Sequence, residues 1–257
     1  MLATTALATG AGEKGTLSLC VGTAAQLLFC LEEIDPDILG KLYLFSHCLP
    51  DKYFCLGTVP TGGSSVQWFA SLVGDKAMKR LPAKINGLHD IPLNRNTLFY
   101  PFLMGTGTPS FDYQARAALF GLEMNTDQKD IALSIMEGVA LALKSSLKKV
   151  PSLEKDVKRI IMSGGGTRLT LWPQIMGNVF NIPVQVSENV DTAATGAYLL
   201  GAKAIHFIDN YDDTINTTTP EAKCIPDPKF VSHYSKLYEL YATFTDAVEK
   251  YSHWSER

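Results

Sequence analysis

The stretch IIMSGGGTRLTLWPQIMGNVFNIPV, residues 160–184, decides the fold of this chain. An apolar, basic-flanked run from Val157 leads straight into Gly164-Gly165-Gly166; a helix-like LTLWPQIMGNVF follows, and PVQV at 183–186 returns as a short strand. Strand, turn, helix and strand in that order place the chain in the α/β class. Glycines between a strand and a helix let backbone approach a ligand closely. The free N–H groups at a helix start attract phosphate or hydrogen-bond a purine-ribose unit. Ser163-Gly164-Gly165-Gly166-Thr167 is therefore the leading candidate site, against the plainer reading of a tight strand-to-helix turn. It is no Walker A loop, because no Lys-Ser/Thr pair follows, and it is not G-x-G-x-x-G.

Upstream, TLSLCVG (16–22) and QLLFCL (26–31) read as a hairpin turning at Thr23-Ala24-Ala25, followed by strands at 42–46 and 53–59. After Gly62-Gly63, SSVQWFASLVG has helical spacing, with Ser64 or Ser65 as the expected N-cap. A loop containing Pro82, Gly87 and Pro92 precedes an apolar segment at 97–104, GTGTP at 105–109 and a short ordered element at 115–122. Asp127 opens a long amphipathic helix in which Ile131, Ile135, Met136, Val139, Leu143 and Leu147 recur every three or four residues, closing at Lys148-Lys149 with Pro151 beyond. Downstream, 191–207 reads as a small-residue helix that packs closely if Ala193, Ala194, Gly196, Ala197 and Gly201 face a neighbour. A polar loop at 210–226 leads to an aromatic, helical tail from Asp227 to Trp254.

Composition narrows the function. A chain of 257 residues supports a substantial core without staples. Its five cysteines are odd in number, with no C-x-x-C pair or nearby ligand-spaced His, which argues against a disulfide framework or structural zinc. A net charge of −3 gives no basis for nucleic-acid binding. The apolar opening, without a basic n-region and too short to span a bilayer, argues against a signal peptide or membrane segment. Cytoplasmic small-molecule chemistry is the expectation.

A second candidate is Val21-Gly22-Thr23, where a hydroxyl and successive backbone N–H groups could hold a phosphate oxygen or order a metal-bound water, unless this is simply a turn. Asp112 and Arg116 are expected to form a surface or interdomain ion pair. Glu137 is expected beside a close helix contact made possible by Gly138. His47, His89, His206, His233 and His253 are scattered without a triad partner, the Asp212-Asp213 pair is expected to be solvated, and no metal-ligand cluster is visible.

Taken in order, Gly22-Thr23, PFLMGTGTPSFDYQARAALFGL (101–122), MEGVALAL (136–143), residues 160–184 and AATGAYLLGAKAI (193–205) resemble the C-terminal domain of FGGY carbohydrate kinases. The resemblance implies an actin-like ATPase, ribonuclease H-like fold: a mixed sheet flanked by helices, with ATP and sugar held between two domains. It implies ATP with Mg2+, with Gly22 and Thr23 at the phosphates and Gly164, Gly165, Gly166 and Thr167 on the adenosine side. Thr170 falls where the glycerol-kinase branch has a nucleotide-contacting Asn. Trp172-Pro173-Gln174-Ile175 and the later Phe180-x-Ile182-Pro183-Val184 look closest to the xylulokinase branch, which points first to D-xylulose, with other ketoses and polyols open.

The family's sugar-binding N-terminal domain is not in residues 1–257, which the resemblance assigns to the nucleotide-binding half. The family's catalytic Asp precedes a motif like Ala6-Leu7-Ala8-Thr9-Gly10, and counting back puts it at Met1 or just before. The isolated chain is therefore expected to lack the base and the sugar contacts, to bind nucleotide weakly at most, and to associate as a possible homodimer. The rival readings are a noncatalytic actin-like module that binds nucleotide or a partner, and a different actin-like ATPase.

Overall fold

The structure is a computed structural model and describes residues 2–9, 14–74, 91–93, 95–187, 191–211 and 223–254. Met1, Gly10, Pro82, Gly87, His89, Asp212 and Asp213, named above, lie outside them.

A seven-stranded mixed sheet organises the chain, in the order β3-β4-β2-β1-β7-β8-β9. Its strands are β1 (Thr16–Val21), β2 (Ala25–Leu31), β3 (Tyr43–Ser46), β4 (Tyr53–Val59), β7 (Arg159–Ser163), β8 (Val184–Val186) and β9 (Lys223–Cys224). The short strands β5 (Leu98–Tyr100) and β6 (Ala118–Phe120) form a separate pair. β1 is central: it runs antiparallel to β2 and parallel to β7, which is parallel to β8. Among the described residues, the α-helices are α1 (Leu2–Ala8), α2 (Gly63–Val73), α3 (Gln128–Lys148), α4 (Pro151–Asp156), α5 (Leu171–Phe180), α6 (Thr192–Ala204) and α7 (Pro228–Ser252).

The period-2 alternation of the strands sends side chains to two buried faces. From β2, Leu27, Phe29 and Leu31 enter the main core with α3, α5 and α7, whereas Leu28 packs with Ala6 of α1 and with Phe54 and Leu56 of β4. α6 joins α1 on that second side through Leu199 and Leu7. Covering both faces explains why these strands read as apolar runs.

Several local expectations change. Neither Ser64 nor Ser65 caps α2. Gly62 holds the N-cap position, while the Ser64 hydroxyl donates to the Thr23 carbonyl (2.9 Å) and the Ser65 hydroxyl to the Thr61 carbonyl (2.6 Å). Pro151 lies just beyond the end of α3, as expected, and also starts α4, where its missing N–H costs nothing. Of the two glycines in α6, Gly196 makes the close approach, its backbone so near Thr4 of α1 that a Cβ would lie 1.9 Å from the Thr4 carbonyl oxygen, whereas a Cβ at Gly201 would meet nothing within 4 Å among the described residues. Gly138 meets not a helix but β5, at the Phe99 carbonyl. Asp112 pairs with His253 at the end of α7 (2.7 Å), while the Arg116 guanidinium donates to the Tyr113, Gln114 and Ala115 carbonyls. Cys20, Cys30, Cys48, Cys55 and Cys224 are all free thiols.

His47, 8% exposed, accepts from the Leu49 N–H at Nδ1 (3.0 Å), which leaves Nε2 carrying the proton with no hydrogen-bond partner among the described residues. Burial first, and Lys52 second, pull its pKa from 6.5 to about 4. An unfolded His47 takes up a proton at pH values where the folded one does not, so its contribution is complete above pH 6.5 and is lost as pH falls towards 4. Removing this group by His47→Phe is expected to flatten the acid limb of a urea-unfolding pH series by about 2 kcal/mol. Identical limbs in both proteins would contradict it.

Candidate functional site

The carboxyl ends of three strands meet at one edge of the sheet. Val21 of β1 pairs with Ala25 of β2, Ala25 pairs with Val59 of β4, and Cys20 pairs with Ser163 of β7. From these ends leave Gly22-Thr23, Pro60-Thr61-Gly62-Gly63 and Gly164-Gly165-Gly166. In open α/β sheets, ligands bind in the crevice outside the carboxyl ends of parallel strands. The two glycine turns singled out in the sequence are therefore brought together.

The packing explains the glycines. Gly164 has φ +86 and ψ 176, a conformation essentially reserved for glycine, and a Cβ there would lie 2.7 Å from the Val21 carbonyl oxygen. A Cβ on Gly166 would meet Val21 Cγ1 at 2.7 Å and Trp172 Cε3 at 3.2 Å. Gly165 is different: it is exposed, and a Cβ would find nothing within 4 Å. Two glycines thus bring the backbone against β1, and the third leaves space above it.

The turn after β1 is held from the other side by α2. The Gly63 N–H donates to the Gly22 carbonyl (2.7 Å), and the Gly62 and Ser64 N–H groups both donate to the Thr23 carbonyl (2.9 and 3.1 Å). The first donors of α2 are consumed in fixing this turn, so α2 buttresses the site. Thr167 closes the other turn by donating its hydroxyl and its N–H to the Gly164 carbonyl (2.8 and 3.2 Å). Among the described residues, the Thr23, Gly165 and Gly166 N–H groups have no backbone acceptor, which leaves them available to an anion. Thr23 and Thr170 are exposed; Thr170 stands at the start of α5 without capping it. Trp172 lies under Gly166, buried, with its indole N–H donating to the Met136 carbonyl (3.1 Å).

The 60–64 segment is the part that sequence reasoning missed. Its signal was present, because a strand running into Gly62-Gly63 and then a helix repeats the pattern of 159–180. A second missed constellation is buried behind the site: Arg95 donates to Glu137 of α3 (2.6 Å), and the Tyr234 hydroxyl of α7 donates to the same carboxylate oxygen (3.0 Å).

No hydrogen bond links a carboxylate to either glycine turn among the described residues. Among the same residues, no three His, Cys, Asp or Glu side chains are placed to hold a metal ion, and no helix is long and apolar enough to cross a membrane. A cavity of about 380 Å³ opens at the other end of the sheet, lined by Lys14, Leu31, Lys52 and Leu153 among others. Glu32, Glu33, Asp35 and Asp156 also line it, which is the wrong charge for phosphate. The geometry favours the glycine edge.

Residues 17–205 match the family model for the C-terminal domain of the FGGY family of carbohydrate kinases. The chain is 29% identical over 239 residues to the xylulose kinase of Bacillus subtilis (strain 168), covering 91% of this chain and 47% of that protein. It is 26% identical over 254 residues to the gluconokinase of the same organism, covering 95% of this chain and 49% of that one. It superposes on the crystal structure of xylulose kinase from Rhodospirillum rubrum with a TM-score of 0.83 and 26% identity, covering 98% of this chain and 51% of the other. The chain thus spans about half the length of the curated relatives it matches.

Proposed function

Because the chain belongs to the FGGY family of carbohydrate kinases and has their actin-like ATPase fold, we propose that residues 1–257 form the nucleotide-binding half of an ATP-dependent sugar kinase. The observation that carries this reading is the meeting of the Gly22-Thr23 and Gly164–Thr167 turns at the carboxyl ends of adjacent parallel strands.

The residues fit a nucleotide, since the space over Gly165 admits an atom that a side chain would exclude. ATP supplies the phosphoryl group for transfer to a sugar hydroxyl. Thr23, with its exposed hydroxyl and free N–H, faces the phosphates. Gly164, Gly165, Gly166 and Thr167 form the adenosine-side wall, Thr167 keeping its turn closed, and Thr170 flanks them at the head of α5. Mg2+ would enter with the ATP phosphates and keep several waters, so it needs no cluster of three protein ligands, and none is brought together among the described residues. The general base is assigned to an Asp at or just before the position of Met1, and the sugar contacts to an N-terminal domain. D-xylulose is the favoured acceptor, supported by the similarity to xylulose kinases.

Losing a base costs about 10²–10⁴ in rate, and losing the domain that positions sugar against nucleotide removes up to about 7–11 kcal/mol of proximity advantage. Phosphoryl transfer depends on that positioning. The expected outcome of a coupled ADP-release assay is no sugar-dependent turnover by this chain, and turnover with D-xylulose by a protein that adds an FGGY N-terminal domain. Turnover by this chain alone, or none by the extended protein with any ketose or polyol, would overturn the reading.

A further inference from the structure

A second cavity, of about 150 Å³, lies between α3, α7 and the loop that follows β5. α7 lines it with Tyr238, Ala242, Thr245 and Glu249, one stripe at three- and four-residue spacing. α3 contributes Ala142 and Ser145, with Lys149 just past its end, and residues 58–60 and 106–110 close the remaining side. That side is fixed. The Thr108 N–H donates to the Thr58 carbonyl (3.1 Å), its hydroxyl accepts from the Thr58 N–H (2.8 Å), and the Ser146 hydroxyl of α3 donates to the Thr108 carbonyl (3.0 Å). The cavity is therefore preformed, as small-molecule sites usually are.

The α7 wall is short of donors. Glu249 buries its Oε1 with no hydrogen-bond partner among the described residues, a costly state for a group withdrawn from water. Thr245 spends its hydroxyl proton on the Tyr241 carbonyl (2.8 Å), so towards a ligand it can only accept. Asp246, exposed at the rim, adds a second carboxylate. These groups require a ligand that donates hydrogen bonds, and charge narrows the choice. An anion would face Glu249 and Asp246. A cation would enter beside Lys149, and the Tyr238 ring already carries the Lys144 ammonium 5.2 Å from its centroid. A neutral donor avoids both, while Val59, Phe102 and Ala142 offer an apolar wall to its C–H groups. A cavity of this volume takes a ligand of about benzene size. We propose that it binds a small neutral polyol of about six to eight non-hydrogen atoms, whose hydroxyls donate to Glu249 Oε1 and Thr245 and accept from Lys149. No residue of the two glycine turns lines the cavity, so the inference stands independently of the proposed activity.

Saturation-transfer NMR with erythritol as the probe tests this on the whole chain, with the unfolding temperature of each variant measured alongside. The expected result is saturable binding that persists in Gly165→Val and weakens about tenfold or more in Ala242→Leu, which fills the cavity from an exposed helix position. Glu249→Ala should weaken it several-fold. Free glycine and tetramethylammonium, a zwitterion and a cation of similar size, should fail to displace the probe. No saturable binding of erythritol, loss of binding in Gly165→Val, or unchanged binding in a folded Ala242→Leu protein would each overturn the inference. Tighter binding of either charged competitor would overturn the ligand class. Should Ala242→Leu fail to fold, Glu249→Ala decides.

Discussion

Glu137→Ala lowers the unfolding free energy by about 3–5 kcal/mol, the usual cost of stranding a buried charge. Glu137 is 1% exposed, and the Arg95 side chain 8%. Burial alone would push the Arg95 guanidinium down; the Glu137 carboxylate, 2.6 Å away, outweighs that and raises it. Burial, then the same carboxylate, pushes the Tyr234 phenol well above its usual value, so it stays a donor. The constellation joins the segment before β5, the middle of α3 and the start of α7, so truncation leaves the Tyr234 hydroxyl without its acceptor. The buried Arg95 cation is left with only the Thr97 hydroxyl, the Asp130 carbonyl and the Asp130 carboxylate, 3.9 Å from Nε, to hold it. Its pairing is incomplete, since Arg95 Nε and Glu137 Oε2 have no hydrogen-bond partner among the described residues. Replacing both charges should therefore cost much less than the sum of the single changes. Urea unfolding of Glu137→Leu, Arg95→Met and the double variant checks this. Additive losses would show that the pair is not the source of the effect.

Gly164→Ala has the second large effect, reported by both stability and binding. The residue's φ of +86 with ψ 176 costs an alanine about 1–3 kcal/mol. The 2.7 Å contact with the Val21 carbonyl oxygen cannot relax by a rotamer change because both partners are backbone. Relief requires β7 to move from β1, which pulls the two glycine turns apart. Thermal unfolding should shift down by several degrees, and ATP affinity should fall with it. A variant with wild-type unfolding temperature would refute this reading of the turn.

The glycine turns and the strands beneath them were legible because each is local. A short apolar run feeding into three glycines and then a helix needs no distant partner to be recognised. Asp127 was legible for the same reason: its side chain accepts from the Lys129 and Asp130 N–H groups, and Asp130 reaches back to complete the capping box. Where reading failed, a tertiary contact had overridden the local preference. Ser64 and Ser65 look like caps, but the first N–H groups of α2 are spent on the β1–β2 turn. Glu137 sits in an apolar helix with nothing nearby in sequence to neutralise it, because Arg95 comes from a loop and Tyr234 from another helix. Asp112 has Arg116 four residues on, yet His253 wins because the end of α7 folds back across that loop. Gly196 and Gly201 look alike in a small-residue run; only the path of α1 distinguishes them.

The most direct test of nucleotide binding at the glycine edge is calorimetric titration of ATP into the wild-type chain and into Gly165→Val, with the unfolding temperature of each. Nothing lies within 4 Å of the position a Cβ would take at Gly165, so the fold should tolerate the side chain while the ligand does not. The expected result is unchanged unfolding temperature and an ATP affinity reduced about tenfold or more, a loss of at least 1.4 kcal/mol. Equal affinity in two equally stable proteins would place the nucleotide elsewhere and contradict the assignment.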